Sequence, residues 1–273
     1  MDNMDKLAGI ILAAGDGRRM NSRIPKVLHR LCGKELLRYP VELLGRLGVD
    51  RVVVVVSPAN QDTVKALLGD GVDYAVQPSM TGTAGAVKAA ATTLQGQADQ
   101  VVVIGGDAPL VTDDSVRRLL DGHLEEGRKM SIMSGIVQTS AGLGRVKRDL
   151  GSQQNVLGIV EATDDTERDG QPVEVNSGVY CFHADWLWEN LEKVDVSSNG
   201  ESYLTDLAAV AAELGASVAA LTSNDPDEVL GINNRVELAH LEDIQRRRIR
   251  ERWMLLGVTI TDPSSVMIDA RVK

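Results

Sequence analysis

Leu7-Ala8-Gly9-Ile10-Ile11-Leu12 is continuously apolar and runs straight into a turn that carries Gly15 and Gly17. Unbroken apolarity over so few residues reads as a strand buried on both faces of a parallel sheet, not as an amphipathic helix. The pattern recurs at 51–57, which is mostly valine, and at 72–77, 101–106 and 130–137. Between these runs lie 36–47, 61–68, 82–94 and 113–126, each with apolar residues at helical spacing. Such alternation implies βαβ units, and it predicts an α/β fold: a Rossmann-like, doubly wound and mostly parallel sheet. Pro40 breaks the first helical segment unless it falls in the first turn.

From about Gly142 the pattern changes to shorter strands, including 156–161 and 173–182, joined by longer polar connections. A small antiparallel extension of the sheet is expected there. The stretch 234–256 reads as one long helix with Val236, Leu241, Ile244, Ile249, Trp253 and Leu256 available for an apolar stripe, and Gly257 ends it. Within it, Arg246, Arg247, Arg248, Arg250 and Arg252 form a basic cluster, read as a solvated helix face or as a contact with another chain or a polyanion.

The turn after the first strand lies at the carboxyl edge of the sheet, where open α/β folds bind ligands, and glycines there let backbone N–H groups approach phosphate oxygens. Arg19 and Lys26 add fixed positive charge close by. A dinucleotide fingerprint would need a third glycine where Met20 stands. A Walker loop would need Ser or Thr where Glu35 follows Gly33-Lys34. Both motifs fail at a defining position.

Leu12-Ala13-Ala14-Gly15-Asp16-Gly17-Arg18-Arg19-Met20, with Pro25-Lys26-Val27-Leu28 and Gly33-Lys34, resembles the signature of sugar-1-phosphate nucleotidyltransferases. More narrowly, the chain is similar to the pyrophosphorylase half of bacterial N-acetylglucosamine-1-phosphate uridyltransferases. The resemblance implies transfer of UMP from UTP to N-acetylglucosamine-1-phosphate, giving pyrophosphate and UDP-N-acetylglucosamine, a peptidoglycan precursor. It places Arg19 and Lys26 in the catalytic role, and Leu12, Ala13, Ala14, Gly15, Lys26, Gly105, Gly106 and Asp107 against the substrates. Gln77, Ala13, Gly82 and Thr83 then meet the uracil, while Gly144, Glu161 and Asn176 meet the sugar on the antiparallel extension. The family's Mg2+ ligands fall on Asp107 and Asn233. Read without the resemblance, Asp107 is a turn former or helix cap, Asn233 caps the helix that follows it, and Gln77 is an ordinary strand-end polar residue.

The resemblance divides the chain into a nucleotidyltransferase domain, 1–232, its long C-terminal helix, 233–257, and a lead-in, 258–273, to a left-handed β-helix that carries acetyltransferase activity in two-domain members. The last segment is too short for the stacked coils such a solenoid needs, so that second activity is not expected. Departures from the family pattern gather at the substrate positions. Gly105 stands for a usual tyrosine, Leu143 for an aromatic, Thr163 for a basic residue, and Ser202, in the Asn199-Gly200-Glu201 stretch, for another tyrosine. The alternatives they leave are another sugar-1-phosphate, dTTP in place of UTP, or a non-catalytic nucleotide-sugar-binding protein.

Lys and Arg number 29 against 39 Asp and Glu, a net charge of −10, which argues against a broad basic surface for nucleic acid or anionic lipid. An anionic substrate then needs a local cationic pocket. Cys32 and Cys181 are the two cysteines and form no zinc-like cluster with histidine, so a reducing cytoplasm is the expected compartment. No apolar run approaches the ~18 residues that span a bilayer, and the N-terminus lacks a basic region followed by a long apolar one. The residues leave open a homo-oligomer or a separate acetyltransferase chain as partner.

Overall fold

The computed structural model describes residues 5–140, 142–149, 152–162, 171–198 and 200–273. In chain order the elements begin β1 Leu7–Leu12, β2 Arg30–Leu31, β3 Lys34–Glu35, α1 Arg38–Arg46, β4 Arg51–Val56, α2 Gln61–Leu68, β5 Asp73–Val76, α3 Gly82–Leu94, β6 Gln100–Gly105, α4 Asp113–Glu125 and β7 Met130–Val137. They continue with β8 Arg145–Asp149, β9 Ser152–Val160, β10 Val173–His183, α5 Ala184–Asn190, α6 Leu207–Glu213, β11 Val218–Thr222 and α7 Arg235–Leu255. Pro40 is the third residue of α1, inside the first turn, where no helical partner exists for its missing N–H.

Among the described residues nine strands form one sheet, in the order β5-β4-β1-β6-β10-β7-β11-β9-β8. The parallel half, β5-β4-β1-β6, explains the continuous apolar runs, because it is covered on both faces. Ala8 and Ile10 of β1, Val53 and Val55 of β4, and Val101 and Val103 of β6 enter one core with α3, α5 and α6. Their neighbours Ile11, Val54, Val56, Val102 and Ile104 enter the other, against α1, α2 and α4. Alternation exists at every strand, but both sides are apolar.

Seven of these nine strands run in one direction, and β10 and β9 run against them. Beyond β6 the pairing is mixed: β10 inserts antiparallel between β6 and β7, β11 pairs parallel with β7, and β9 and β8 pair antiparallel further out, so antiparallel pairing enters the centre of the sheet as well as its end. The cause is β10, which follows β9 in the chain and docks antiparallel against the centre of the sheet. Helix periodicity in the first half carries no information about where that later strand lands.

A third core joins Met20, Leu31, Leu36, Tyr39, Leu110 and Ile232 to Leu241 and Ile244 of α7. It fastens the glycine turn, the loop after β6 and the start of α7 to one another. The expected stripe on α7 is only partly used, since Val236 is 80% and Leu256 66% exposed. Part of the basic cluster is held within the chain, while Arg247 and Arg252 are exposed. Arg248 binds the Leu110 carbonyl and the Asp225 carboxylate, Arg246 pairs with Glu242, and Arg250 donates to the Val266 carbonyl. Cys32 and Cys181 are buried free thiols, and burial together with Glu242 pushes Cys32 up to about 12. Among the described residues no helix is long and apolar enough to cross a membrane.

Candidate active site

A cavity of about 330 Å³ opens at the carboxyl edge of β1 and β6. Leu12, Ala13, Ala14, Gly15, Lys26, Gln77, Gly82, Thr83, Gly105 and Asp107 all line it. The loop that begins it is held from within. Ala13 N–H donates to the Val55 carbonyl at 2.9 Å, and the Ala13 carbonyl accepts from the buried Asn60 side chain at 2.8 Å. Gly15 is exposed with open space around it, so a ligand can reach its backbone. Gly17 adopts φ 61, and a Cβ there would come within 2.6 Å of the Lys26 Cβ. Glycine therefore turns the chain tightly enough to lay Lys26 against the loop. Arg18 pairs with Asp16, whereas Arg19 sits on the exposed turn Arg18–Met20 and does not line the cavity.

Lys26, Asp107 and Asn233 meet at one point, although Asp107 is 81 and Asn233 is 207 residues from Lys26. The Lys26 ammonium donates to the Asp107 carboxylate and, at 3.2 Å, to the Asn233 side-chain carbonyl. Each oxygen is placed by backbone. Gly106 N–H donates to the Leu12 carbonyl at 2.9 Å, which ties the Asp107 loop to the end of β1. Ile232 N–H donates to the Asp107 carbonyl at 3.2 Å, which ties the Asn233 segment to that same loop. Capping of α7 falls on Asn234, whose side chain accepts from the Val236 and Glu237 amides. Glu237 in turn accepts from the Asn233 N–H at 2.6 Å and from the Asn234 side chain. The neighbour's capping leaves the Asn233 side chain for the site.

On the far wall, Gln77 is buried and donates its side-chain NH2 to the Gly82 carbonyl at 3.0 Å and to the Thr81 hydroxyl at 3.2 Å. The start of α3 is stitched to a distant segment. Ser202 N–H donates to the Thr81 carbonyl, Ala84 N–H to the Ser202 carbonyl, and Leu204 N–H to the Thr83 hydroxyl. Gly82 has φ 85, and a Cβ on it would collide with the Ser202 backbone. Because the Ala84 amide is already taken, the first turn of α3 has one donor fewer to offer an anion.

Gly144, Glu161 and Asn176 lie together behind this cavity. Asn176 N–H donates to the Gly144 carbonyl at 2.8 Å, and Gly144 packs on Ile159 beside the Glu161 carboxylate. Thr205 donates to Glu161 at 2.6 Å. The register of β10 on β7 shifts between Asn176 and Tyr180, a bulge of the kind that re-aims side chains beside a site. There the Asn176 amide donates to the Tyr180 hydroxyl at 2.6 Å. Tyr180 lines the cavity, and burial holds its phenol protonated far above its ordinary range.

Gly106, Gly144, Glu161, Asn176 and Asn233 are thus adjacent to the cavity but do not line it, while Tyr180, Gly178, Met80, Glu201 and Tyr203, which sequence reasoning did not single out, do. Tyr180 had a signal, as one of four tyrosines, close after Asn176 on the same strand. Glu201 and Tyr203 flank Ser202 in the stretch that the resemblance set among the substrate positions, and backbone stitching to α3 brings them to the cavity. Of the four departures from the family pattern, Gly105 lines the cavity and Leu143 packs on Val173, Val175 and Val229. Ser202 acts through its backbone, and Thr163, like Asn199, lies outside the described residues.

Residues 9–135 match the MobA-like NTP transferase domain. The chain is 39% identical over 271 residues to the bifunctional protein GlmU of Caldanaerobacter subterraneus subsp. tengcongensis, covering 99% of this chain and 58% of that protein. It is 40% identical to GlmU of a Geobacillus species and 36% identical to GlmU of Brevibacillus brevis, with the same coverage. The chain therefore spans 58% of the length of these relatives.

Proposed function

We propose that the chain is a sugar-1-phosphate nucleotidyltransferase, a reading supported by its alignment with GlmU over 99% of its own length, and that it transfers UMP from UTP to N-acetylglucosamine-1-phosphate. The observation that carries the reading is the convergence of Asn233 on Lys26 and Asp107, the last two lining the cavity. A phosphate oxygen of the sugar phosphate attacks the α-phosphorus, the new P–O bond forms, and the bond to the β-phosphate oxygen breaks to release pyrophosphate. A phosphate monoester has a second pKa of about 6, so the nucleophile is ionised at neutral pH and needs no general base. Positioning and charge neutralisation are what remains for the protein to supply.

The Asp107 carboxylate and the Asn233 amide carbonyl are hard oxygen donors that suit a magnesium-like ion, and the Lys26 ammonium between them marks the point as one that favours a cation. Two protein ligands leave the remaining coordination positions to phosphates and water. Asp107 and Asn233 would hold a divalent ion there, Mg2+ in this reading, which would supply charge neutralisation for the two phosphate substrates. Lys26 contributes its ammonium to the triphosphate, and Arg19 is assigned the same task from the exposed turn. The Gln77 carbonyl oxygen accepts from the uracil imide, beside Ala13, Gly82 and Thr83. Gly144, Glu161 and Asn176 serve the sugar. In this reading 1–232 is the catalytic domain, 233–257 its long helix, and 258–273 a segment that follows it.

Gly105 leaves the cavity wall without a side chain where the family carries tyrosine, and this favours a second reading in which another sugar-1-phosphate is the better acceptor. Initial rates of pyrophosphate release over a panel of sugar-1-phosphates, with UTP and with dTTP, decide between them. The fastest pair is expected to be UTP with N-acetylglucosamine-1-phosphate, and no release with any pair would contradict nucleotidyl transfer.

A further inference from the structure

Thr81 stands at the N-cap of α3, where a threonine hydroxyl ordinarily accepts from an amide of the first turn. Here it makes no such bond. The Ala84 N–H, its natural partner, is engaged by the Ser202 carbonyl at 3.0 Å. The hydroxyl accepts instead from the Gln77 side chain at 3.2 Å. Gly85 makes room for it: a Cβ on Gly85 would collide with the Thr81 hydroxyl and lie 3.3 Å from the Gln77 nitrogen. A glycine inside a helix weakens it relative to alanine, so the arrangement is kept against a local cost.

Gln77 lines the cavity and Thr81 does not, so Thr81 acts through Gln77. The Gly82 carbonyl, an acceptor only, fixes the sense of the amide, since turning it over would set oxygen against oxygen. The second N–H of the amide is left for Thr81. With both donors drawn into the α3 turn, the Gln77 carbonyl oxygen, which has no hydrogen-bond partner among the described residues, remains for a ligand.

We propose that Thr81 is a positioning residue for base selection: its hydroxyl locks the Gln77 amide with the carbonyl oxygen presented to the base, favouring one whose N3 donates, as in uracil or thymine, over cytosine, whose N3 accepts. The inference rests on the assignment of Gln77 to the base in the proposed function. Without the Thr81 hydroxyl the amide keeps one anchor and turns more readily, and a buried N–H loses its partner.

The test compares wild type, Thr81→Val and Thr81→Ser in two readouts: the ratio of kcat/KM for UTP over CTP, and the ratio of affinities for UDP over CDP by calorimetry. Thr81→Val is expected to lower both ratios about tenfold, chiefly through KM, consistent with the loss of one such bond. Thr81→Ser, which keeps the hydroxyl, restores them. A Thr81→Val protein that unfolds at the wild-type temperature and keeps both ratios overturns the proposal. Should that variant not fold, Thr81→Ala is read in the same way. Wild type that binds UDP over CDP yet releases no pyrophosphate from UTP counts against the proposed reaction, and the binding ratio still decides the role of Thr81.

Discussion

Asn233 and Asn234 are identical side chains on adjacent residues with separate tasks. Asn234 accepts from two amides at the start of α7, and Asn233 presents its carbonyl to the Lys26 ammonium. Asn234→Ala is therefore expected to cost about 1 kcal/mol of stability, read as a lower urea midpoint, while leaving Mn2+ affinity near the wild-type value. Asn233→Ala is expected to do the reverse, weakening Mn2+ binding measured by electron paramagnetic resonance with little change in the midpoint. The sequence left Asn233 as either cap or ligand, because only the approach of the Asp107 loop through Ile232 separates the two tasks. Lys26 and Asp107 were more legible, each following an apolar strand at the ligand edge of the sheet. The stretch holding Glu201 and Tyr203 was legible only through the family pattern around Ser202, since nothing local in 200–204 announces that its backbone pairs with α3.

Among the elements, the parallel half could be read closely from periodicity. The helices α2 and α3 run over the residues that their apolar spacing predicted, and β4, β5 and β6 differ from expectation by one or two residues at the ends. The hairpin of β2 and β3 escaped because two-residue strands carry no period. The β11 strand, 218–222, escaped because it is short and two of its five residues are alanine, a type depleted in strands. One element also carries a titration. His123 on α4 is buried, with its ring nitrogens on Ser131 of β7 at 2.9 Å and Gln100 of β6 at 3.2 Å. Burial, with Arg128 behind it, lowers the imidazole to about 4. The unfolded chain, with an ordinary histidine near 6.5, then binds more protons than the folded one between those values. His123 thus stabilises the fold fully above pH 6.5, and that contribution is lost as pH falls toward 4. Urea midpoints are expected to drop between pH 6.5 and 4.5 in wild type and to drop less in His123→Asn. Equal slopes would remove His123 as the cause.

At the scale of the whole molecule, a chain of net charge −10 gathers its cations locally, and the two halves of the sheet supply different walls. The parallel strands β5-β4-β1-β6 and the glycine turn contribute Gly15, Lys26 and Asp107, whereas β10, the antiparallel strand beside β6, contributes Gly178 and Tyr180. The third core holds the arrangement closed by packing α7 on the glycine turn and the loop after β6. Alternating strands and helices announced the first wall in sequence. The second depended on an insertion of β10 that no local pattern encodes. The central claim is that Asp107 and Asn233 form one cation-binding pair serving two phosphate substrates, and the initial rate of pyrophosphate release from UTP and N-acetylglucosamine-1-phosphate in Asp107→Ala tests it most directly. With saturating Mg2+, a fall of roughly a hundred- to a thousand-fold from the wild-type rate is predicted, the usual loss for one electrostatic group of this kind. A folded Asp107→Ala protein that keeps most of the wild-type rate would contradict it.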